Sequence, residues 1–466
     1  MVHEMLSSLW SLPLLAHNTP AAQKARRPSD GWRLVTLDPA HFHAALIHKE
    51  MYSGVSNTVA IYAPLGSDLL AHLARILQFN TRAERPTRWQ LEIYAGPDFF
   101  ERMIAERPGQ VVVMSGRNRG KIGRIQASID AGLHVLADKP WIIEAADLPK
   151  LAEALQAAER SGVVAYDIMT ERFEVTNALQ RELVRDPEVF GKIQAGSEQE
   201  PAVYMESVHH IYKTVAGVPA LRPLAFFDIE EQGEGLADVG THLVDLVQWI
   251  LFPDESLDWR RDIVVRAGKR WPEVLTLEQF RRVTGEPDFP QNLRRWVHGD
   301  RFEYYCNNQV RYTLRGIHVT LDVLWRYEAP AGAGDTHHAV FRGSRSRIEV
   351  PQGAAEQFRP ELYVIPLDPA DKEGVRSALS RRIRALEQQF PGLDLEDRGR
   401  EFRVTIPEVH RVGHEAHFAQ VANQFLSYLE DPKLLPAWEN PNMLAKYYVT
   451  TKGVELARQP EAKPTQ

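Results

Sequence analysis

The chain has 466 residues, of which 44% are hydrophobic and 25% charged, and its formal net charge is −7. This length exceeds that of an ordinary single hydrophobic core and indicates two domains. Acidic and basic residues are mixed along the chain, which argues against nucleic acid or a membrane as partner and favours small molecules. Cys306 is the only cysteine, so an intrachain disulfide is excluded and a cytoplasmic setting is expected, with the periplasm left open.

Residues 1–30 are expected to form an extension ahead of the first domain. The apolar run at residues 5–16 resembles the core of a signal peptide, but Pro13 interrupts it and no lysine or arginine precedes it. We therefore do not expect a cleaved signal. No stretch of the sequence reaches the roughly 20 apolar residues that a membrane-spanning helix requires.

Residues 31–168 alternate β-rich runs with helical segments, a pattern typical of a Rossmann-like, doubly wound parallel sheet. The helices are predicted at 41–52, 121–131 and 146–160. The predicted strands cover 32–37, 58–64, 90–95, 110–116, 133–140 and 163–169.

Residues 169–466 predict an α+β domain with a large, mainly antiparallel sheet, because the strict alternation stops there. We expect β-type segments near 190–206, 262–268, 301–328 and 337–350, with a hairpin over 325–343. An amphipathic helix is predicted at 235–252, and two last helices at 416–430 and 440–458 can pack back on the first domain. The polar, proline-containing segments 253–300 and 351–413 are interpreted as surface excursions.

The loop after the first strand is the first candidate for ligand binding, because ligands of open parallel sheets bind at the carboxyl ends of the strands. It reads Asp38-Pro39-Ala40-His41-Phe42-His43 instead of G-x-G-x-x-G. Ala40 keeps a small residue near a pyrophosphate, and His41 and His43 can donate hydrogen bonds to phosphate or lie in the core. Asp38 suits a helix N-cap better than a phosphate contact.

Residues 110–143 carry the first family signal. One loop contains Ser115 and Asn118, and Ala131-Gly132 and Val135 follow it. The segment ends with Asp138-Lys139-Pro140. The segment resembles the Gfo/Idh/MocA oxidoreductases, whose pattern T-x-x-N is followed by A-G-K-x-V-x-x-E-K-P, with Asp138 here in place of Glu. The resemblance implies a catalytic Lys139 beside a nicotinamide, with NAD as cofactor and NADP not excluded. The residues expected to bind this cofactor are Asp38, Ala40, His41, His43, Ser115, Asn118, Asp138 and Lys139. A cation there would polarise the substrate oxygen, and we expect burial to lower its pKa.

A second motif lies in the second domain, at residues 233–245, G-E-G-L-A-D-V-G-T-H-L-V-D. Asp238 and His242 are four residues apart and project from one face of a helix. The segment is similar to the same family's G-G-G-x-x-x-D-x-G-x-H-x-x-D, which implies that His242, oriented by Asp238, is the general base. A histidine with a purely structural role in the core is the alternative.

Polar residues near these motifs are predicted to contact the substrate. They are Arg172, His209, His210, Lys213, Asp228 and Gln232. Such a cluster of donors suits a polyhydroxylated ligand such as a sugar, which needs many directional hydrogen bonds. Arg172 can alternatively close the domain junction. His209, His210, Asp238 and His242 are also potential metal ligands, but adjacent histidines on a strand point to opposite faces, so no metal is expected.

The resemblance implies an oxidoreductase that transfers a hydride to NAD from a carbinol of a sugar, glycoside or sugar derivative. Carbon 3 is a candidate for the oxidised position. Two alternatives stay open: redox-neutral glycoside cleavage with tightly bound NAD, and a sensor that binds sugar or nucleotide without catalysis. A homodimer or homotetramer is expected from the same resemblance.

Overall fold

A computed structural model describes residues 29–215 and 218–459. The apolar run at residues 5–16 therefore lies outside the described residues. A six-stranded parallel sheet has the order β3-β2-β1-β4-β5-β6, which confirms the predicted doubly wound architecture. Its strands are β1 (Leu34–Leu37), β2 (Thr58–Ala63), β3 (Gln90–Ala95), β4 (Val111–Met114), β5 (His134–Asp138) and β6 (Ala165–Ile168). Its helices are α1 (His43–Leu46), α2 (Ser67–Thr81), α3 (Phe99–Glu106), α4 (Lys121–Asp130) and α5 (Leu148–Ser161).

The parallel sheet is buried on both faces, as its continuous apolar strands require. All four residues of β1 and of β4 are buried. One hydrophobic core, with Ile125 and Leu151, covers one face, and a second, with Ile61 and Phe418, covers the other. The carboxyl edge of the sheet is left for the loops that carry the predicted cofactor residues.

The segment after β1 differs from the prediction. Helix α1 is a single turn followed by a 3-10 turn at Ile47–Lys49, instead of a helix over 41–52. Phe42 occupies the N-cap position, so the predicted capping role of Asp38 is wrong. Asp38 has a left-handed φ of 46°, and its carboxylate instead accepts hydrogen bonds from Arg117 and Arg124.

The second domain is built on a 10-stranded sheet of order β10-β12-β13-β7-β14-β15-β16-β18-β17, with β11 paired to β12. Only the β13–β7 pairing is parallel, so the predicted mainly antiparallel sheet is confirmed. The strands are β7 (Val203–Tyr212), β8 (Thr214–Val215), β9 (Val218–Pro219), β10 (Ile263–Thr276), β11 (Val297–His298), β12 (Arg301–Leu314), β13 (Ile317–Glu328), β14 (Thr336–Arg342), β15 (Ser346–Gln352), β16 (Leu362–Pro366), β17 (Asp394–Asp397) and β18 (Phe402–Thr405). β8 and β9 pair only with each other.

The helices of this part of the chain are α6 (Val175–Val184), α7 (Gly235–Asp238), α8 (Gly240–Leu251), α9 (Trp259–Asp262), α10 (Leu277–Thr284), α11 (Lys372–Leu386), α12 (His414–Glu430) and α13 (Glu439–Arg458). Two of them, α7 and α8, together cover the helix predicted at 235–252. Val239 between α7 and α8 keeps right-handed helical angles, so Asp238 and His242 lie on nearly continuous helix. Among the described residues no helix has the length and apolar character to cross a membrane.

Two predictions for this domain are wrong. The segments 253–300 and 351–413 are not surface excursions, because they supply strands β10, β16, β17 and β18 and core residues such as Phe280 and Leu379. The hairpin predicted over 325–343 does not form either. β13 and β14 are separated by β7, which pairs with both, because a strand from far upstream inserts between them.

The last two helices pack against the first domain. Phe418 and Phe425 of α12 enter the core that contains Ile61, and Tyr447 of α13 enters the core that contains Ile125. Val449, two residues later, belongs to the core of the second domain. Helix α13 therefore contributes to the cores of both domains.

A buried network of charges joins β6, α8 and α13. The Asp245 carboxylate of α8 accepts hydrogen bonds from Arg172 at 2.6 and 2.7 Å and from Lys446 at 3.1 Å. Lys446 also pairs with Asp167 of β6 at 2.7 Å, and Arg172 with Glu439 at 2.7 Å. These side chains are at least nine-tenths buried. Burial alone would raise the pKa of Asp245, but the two cations hold it well below its usual range.

Lys446→Met should destabilise the fold strongly, because it leaves Asp167 and Asp245 buried without this shared cation. We expect a loss of about 3–5 kcal/mol in the free energy of unfolding, as is typical when a buried ion pair loses one partner. Urea unfolding at neutral pH measures it. Lys452→Met on the same helix, which removes an exposed pair with Glu455, should cost no more than about 1 kcal/mol. Equal losses in the two variants would contradict a structural role for the network.

Candidate functional site

The two family motifs meet in a direct ion pair. Lys139 follows β5 directly, is joined to Pro140 by a cis peptide bond, and is nine-tenths buried. Its ammonium group donates to the Asp238 carboxylate at the end of α7, and lies 3.3 Å from the main-chain oxygen of Asp238. The contact brings a residue of the parallel sheet together with a residue of the second domain.

The ion pair sets the charge of both partners. Burial opposes the charged form of Lys139, but Asp238 and Asp138 outweigh it and raise the pKa of the lysine. This corrects the expectation that burial lowers that pKa. Burial likewise opposes ionisation of Asp238, yet Lys139 lowers its pKa overall. The lysine is therefore a fixed cation at neutral pH, suited to stabilise developing negative charge on an oxygen.

His242 lies one helical turn after Asp238. Its Nδ1 atom is buried and has no hydrogen-bond partner among the described residues. Burial, followed by the charge of Lys139, lowers its pKa to about 4, so the imidazole is neutral and can accept a proton. The expected orientation of His242 by Asp238 is wrong in this structure, because the Asp238 carboxylate bonds to Lys139 and not to the imidazole.

The predicted cofactor residues converge at the carboxyl edge of the parallel sheet. His43 Nδ1 lies 2.8 Å from Asp138 Oδ2, and His41 Nδ1 lies 3.8 Å from the same oxygen. The amide nitrogen of Ala40 donates to the main-chain oxygen of Asp38, which makes the turn after β1 compact. A Cβ atom at Gly116 would lie 2.2 Å from that oxygen, so the loop after β4 must carry glycine to approach this turn.

The loop after β4 is held by contacts to the second domain. Asn118 Nδ2 donates to the main-chain oxygen of Gln232 at 2.8 Å. Lys121 donates to Asn118 at 2.5 Å and to the main-chain oxygens of Asp138 and Pro140 at 3.0 Å each. Burial lowers the pKa of Lys121 to about 8. Lys121 was not singled out from the sequence, and its contacts fix the peptide segment that carries Lys139.

This edge fits a phosphate-bearing ligand better than its sequence suggests. The negative charge of Asp38 is compensated by Arg117 at 3.0 Å and Arg124 at 2.6 Å, which reduces its repulsion of an anion. The Ser115 hydroxyl is buried and has no hydrogen-bond partner among the described residues. A buried polar group without a partner in the protein is suited to a ligand contact.

Arg172 does not face the substrate side as predicted. Each of its guanidinium nitrogens bonds to Asp245 or Glu439, and its side chain is more than nine-tenths buried. The structure therefore corrects its assignment as a substrate residue and supports the alternative, a role at the domain junction.

His209, His210 and Lys213 gather around one unexpected carboxylate, Asp335. Its oxygens lie 3.4 Å from His209 Nδ1, 3.0 Å from His210 Nδ1 and 2.5 Å from the Lys213 ammonium. The two adjacent histidines thus reach the same carboxylate from neighbouring strand positions. Both imidazole rings contact this carboxylate. The two histidines do not form a metal-binding group with Asp238 and His242 among the described residues. His209 also stacks on Trp325, with ring centroids 4.9 Å apart.

Asp228 and Gln232 belong to the turn that precedes α7. Asp228 is buried and accepts hydrogen bonds from Asn292 at 2.8 Å and from the Glu230 amide at 3.0 Å. Gln232 contacts Asn118 through its main-chain oxygen, and its side chain is half-buried. The contacts found at these two positions stabilise the turn.

Sequence reasoning missed an acid and two histidines near His242. Glu171 is held at a pKa of about 2: burial alone would raise it, but His414, His242 and His417 lower it. His414 Nε2 lies 3.4 Å from His43 Nε2, and both ring nitrogens of His417 lack partners among the described residues. The H-E-A-H spacing at 414–417 places both histidines on one face of α12, a signal that could have indicated them.

Known proteins with similar sequence or structure identify the family of this chain. The profile of the family described as "Putative oxidoreductase C terminal domain" matches residues 179–458. No curated protein matches the chain. A crystal structure described as a putative oxidoreductase from Parabacteroides merdae is 43% identical, covers 92% of this chain and 98% of its own, and superposes with a TM-score of 0.90.

Two more distant solved structures share the fold. GenD2 from gentamicin A biosynthesis, in complex with NAD, is 13% identical over 93% of this chain and 96% of its own, with a TM-score of 0.54. A 3-ketoreductase from Actinomadura kijaniata, in complex with NADP and TDP-benzene, is 13% identical over 92% and 98%, also with a TM-score of 0.54. The profile match spans more than half of the chain, and the Parabacteroides relative matches nearly all of it. The chain is therefore an oxidoreductase that belongs to the family with this C-terminal domain, and its two motifs resemble those of the Gfo/Idh/MocA group.

Proposed function

We propose that this oxidoreductase oxidises a carbinol of a sugar, glycoside or sugar derivative and uses NAD as hydride acceptor, with NADP not excluded. The observation that carries the proposal is the Lys139–Asp238 pair with the neutral His242 one turn further on. A fixed cation and a neutral imidazole that interact electrostatically are the two groups that removal of a carbinol proton requires.

Three residues of the protein have separate roles in this reaction. His242 accepts the proton of the hydroxyl group, and the Lys139 ammonium stabilises the oxygen as it becomes a carbonyl. Asp238 holds the ammonium in place and keeps it protonated. A bound nicotinamide supplies the hydride acceptor.

Cofactor residues are proposed at the carboxyl edge of the parallel sheet. Ser115 offers a hydroxyl without a protein partner, and Arg117 and Arg124 compensate the charge of Asp38. The distant structures with NAD and with NADP support nicotinamide use. His41, His43, Asn118 and Asp138 complete this edge, Asn118 by fixing the loop.

A sugar-type substrate is supported by the polar surroundings of the pair. His209 is close enough to lower the pKa of Asp238, and its ring stacks on Trp325. The partly exposed His209 and Asp335 can supply directional hydrogen bonds of the kind that a sugar needs. The structural neighbour described as a 3-ketoreductase also supports such a substrate, with carbon 3 as the proposed position of oxidation.

Lys139→Ala and His242→Ala should each lower the rate of NAD reduction about a hundredfold or more, because each removes a group that acts on the reacting hydroxyl. The assay follows NADH formation over a panel of sugars and glycosides. Lys150→Ala, at an exposed lysine, and His410→Ala, at a partly exposed histidine, replace residues of the same types that take no part in the proposed reaction; they serve as matched controls and should retain full activity. Melting temperatures verify folding. Full activity of folded Lys139→Ala or His242→Ala would rule out the assignment.

The pH profile tests the role of His242. A general base works only when unprotonated, so activity is present above its pKa and is lost as pH falls through that value. With a pKa of about 4 for His242, kcat/KM should stay level from neutrality to about pH 5 and then fall. An inflection near 6.5, the ordinary value of histidine, would contradict the buried, neutral imidazole.

Product analysis separates net oxidation from redox-neutral glycoside cleavage. We expect NADH and keto-sugar in equal amounts, because each hydride removed from a carbinol reduces one NAD and leaves one carbonyl group. The measurement is quantification of both products by mass spectrometry after incubation with an aryl glycoside. Release of the aglycone without net NADH would instead establish cleavage.

A further inference from the structure

A group of three potential metal ligands lies beside the Lys139–Asp238 pair. His41 Nδ1, His43 Nδ1 and Asp138 Oδ2 all lie within 4.8 Å of one another. The two histidine nitrogens are 3.8 and 2.8 Å from the carboxylate oxygen. Ligands bound to one zinc ion at about 2.0–2.2 Å are separated by about 3–4 Å, so small side-chain movements bring all three within bonding distance of a common ion.

The chemistry of this group suits a transition metal. Two imidazoles with one carboxylate form a ligand set used for divalent ions that keep open coordination positions. Burial is the largest influence on both rings and lowers their pKa values, so each is neutral and has a lone pair for a metal. Burial opposes ionisation of Asp138, but His43 and Lys139 keep it anionic.

The surroundings of the ligands resemble those of a supported metal site. Coordination at His43 Nδ1 requires its ring proton to be on Nε2, which faces His414 Nε2 at 3.4 Å. A metal-bound histidine usually donates its other N–H group to an oxygen acceptor, and here an imidazole nitrogen occupies that position. The main-chain oxygen of Asp138 accepts from Lys121 at 3.0 Å, which fixes the strand end that carries the carboxylate. His41 is partly exposed, which leaves a path for entry of an ion.

Two of the three ligands occupy positions where the chain departs from the motifs of its family. In the loop that stands in place of G-x-G-x-x-G, His43 replaces the last glycine and so adds a side-chain ligand, whereas His41 stands at a position that the pattern leaves variable. Asp138 stands where the E-K-P pattern has glutamate and keeps a carboxylate there. A direct hydrogen bond links His43 to Asp138, whereas His41 Nδ1 has only a long contact, 3.4 Å, from the His43 amide.

We propose that His41, His43 and Asp138 bind one divalent transition metal ion of the zinc type. Three protein ligands leave at least one coordination position for an oxygen of water or of a bound small molecule. The site shares its three residues with the edge proposed for the cofactor and lies beside the Lys139–Asp238 pair, so an ion there would sit next to the bound dinucleotide. Binding of the ion by the protein without cofactor does not depend on the reaction proposed above.

The experiment is a calorimetric titration of the full chain with Zn²⁺, after chelator treatment and removal of the chelator. The wild type should bind one equivalent at this site. His41→Ala, which removes the partly exposed ligand, and Asp138→Asn, which preserves shape, should each weaken binding at least about tenfold. His338→Ala, which removes an imidazole in the large sheet beside Glu349, should bind Zn²⁺ as the wild type does.

Circular dichroism and melting temperature verify that the variants are folded, and Co²⁺ in place of Zn²⁺ reports the ligand set by its visible spectrum. The spectrum should change in His41→Ala and stay unchanged in His338→Ala. The absence of Zn²⁺ binding by the wild type, or unchanged binding by folded His41→Ala and Asp138→Asn, would overturn the proposal. Neither result touches the oxidoreductase proposal, because the titration uses no substrate or nicotinamide.

Discussion

The buried charges around Asp245 are the constraint on which the site depends. Asp245 lies on the helix that carries His242, and it is bound by Arg172, just after β6, and by Lys446 of α13. Because a buried charge is costly without its partners, these contacts strongly favour one placement of α8 against the parallel sheet. The Lys139–Asp238 pair forms across the junction that this placement creates.

The residues proposed to act on the substrate could be predicted because they stand in two contiguous motifs. Lys139 ends a buried strand with a proline after it, and Asp238 and His242 follow a helical spacing, so local sequence carries their positions. The parallel sheet was predictable for the same reason, since its strands are short apolar runs separated by helices. What the motifs do not contain is the pairing itself, in which Asp238 bonds to Lys139 and leaves His242 without a carboxylate partner.

The residues that escaped prediction are brought to the site by contacts distant in the chain. His414 meets His43 across 371 positions, and Lys446 meets Asp245 across 201. The hairpin predicted around residues 325–343 failed for a related reason, because the insertion of β7 between β13 and β14 is a tertiary event that a glycine-rich turn does not reveal. The contacts of Asp38 with Arg117, in the loop after β4, and with Arg124 of α4 likewise join segments that are far apart in the chain.

The central claim is that a nicotinamide dinucleotide works beside Lys139 although the glycine loop is absent. It is tested most directly by denaturing the purified protein and identifying the released small molecules by absorbance and mass, after incubation with NAD and removal of the free cofactor. The account predicts one NAD or NADH per chain in the wild type. Release of no dinucleotide, with no uptake of NAD or NADP in solution, would contradict it.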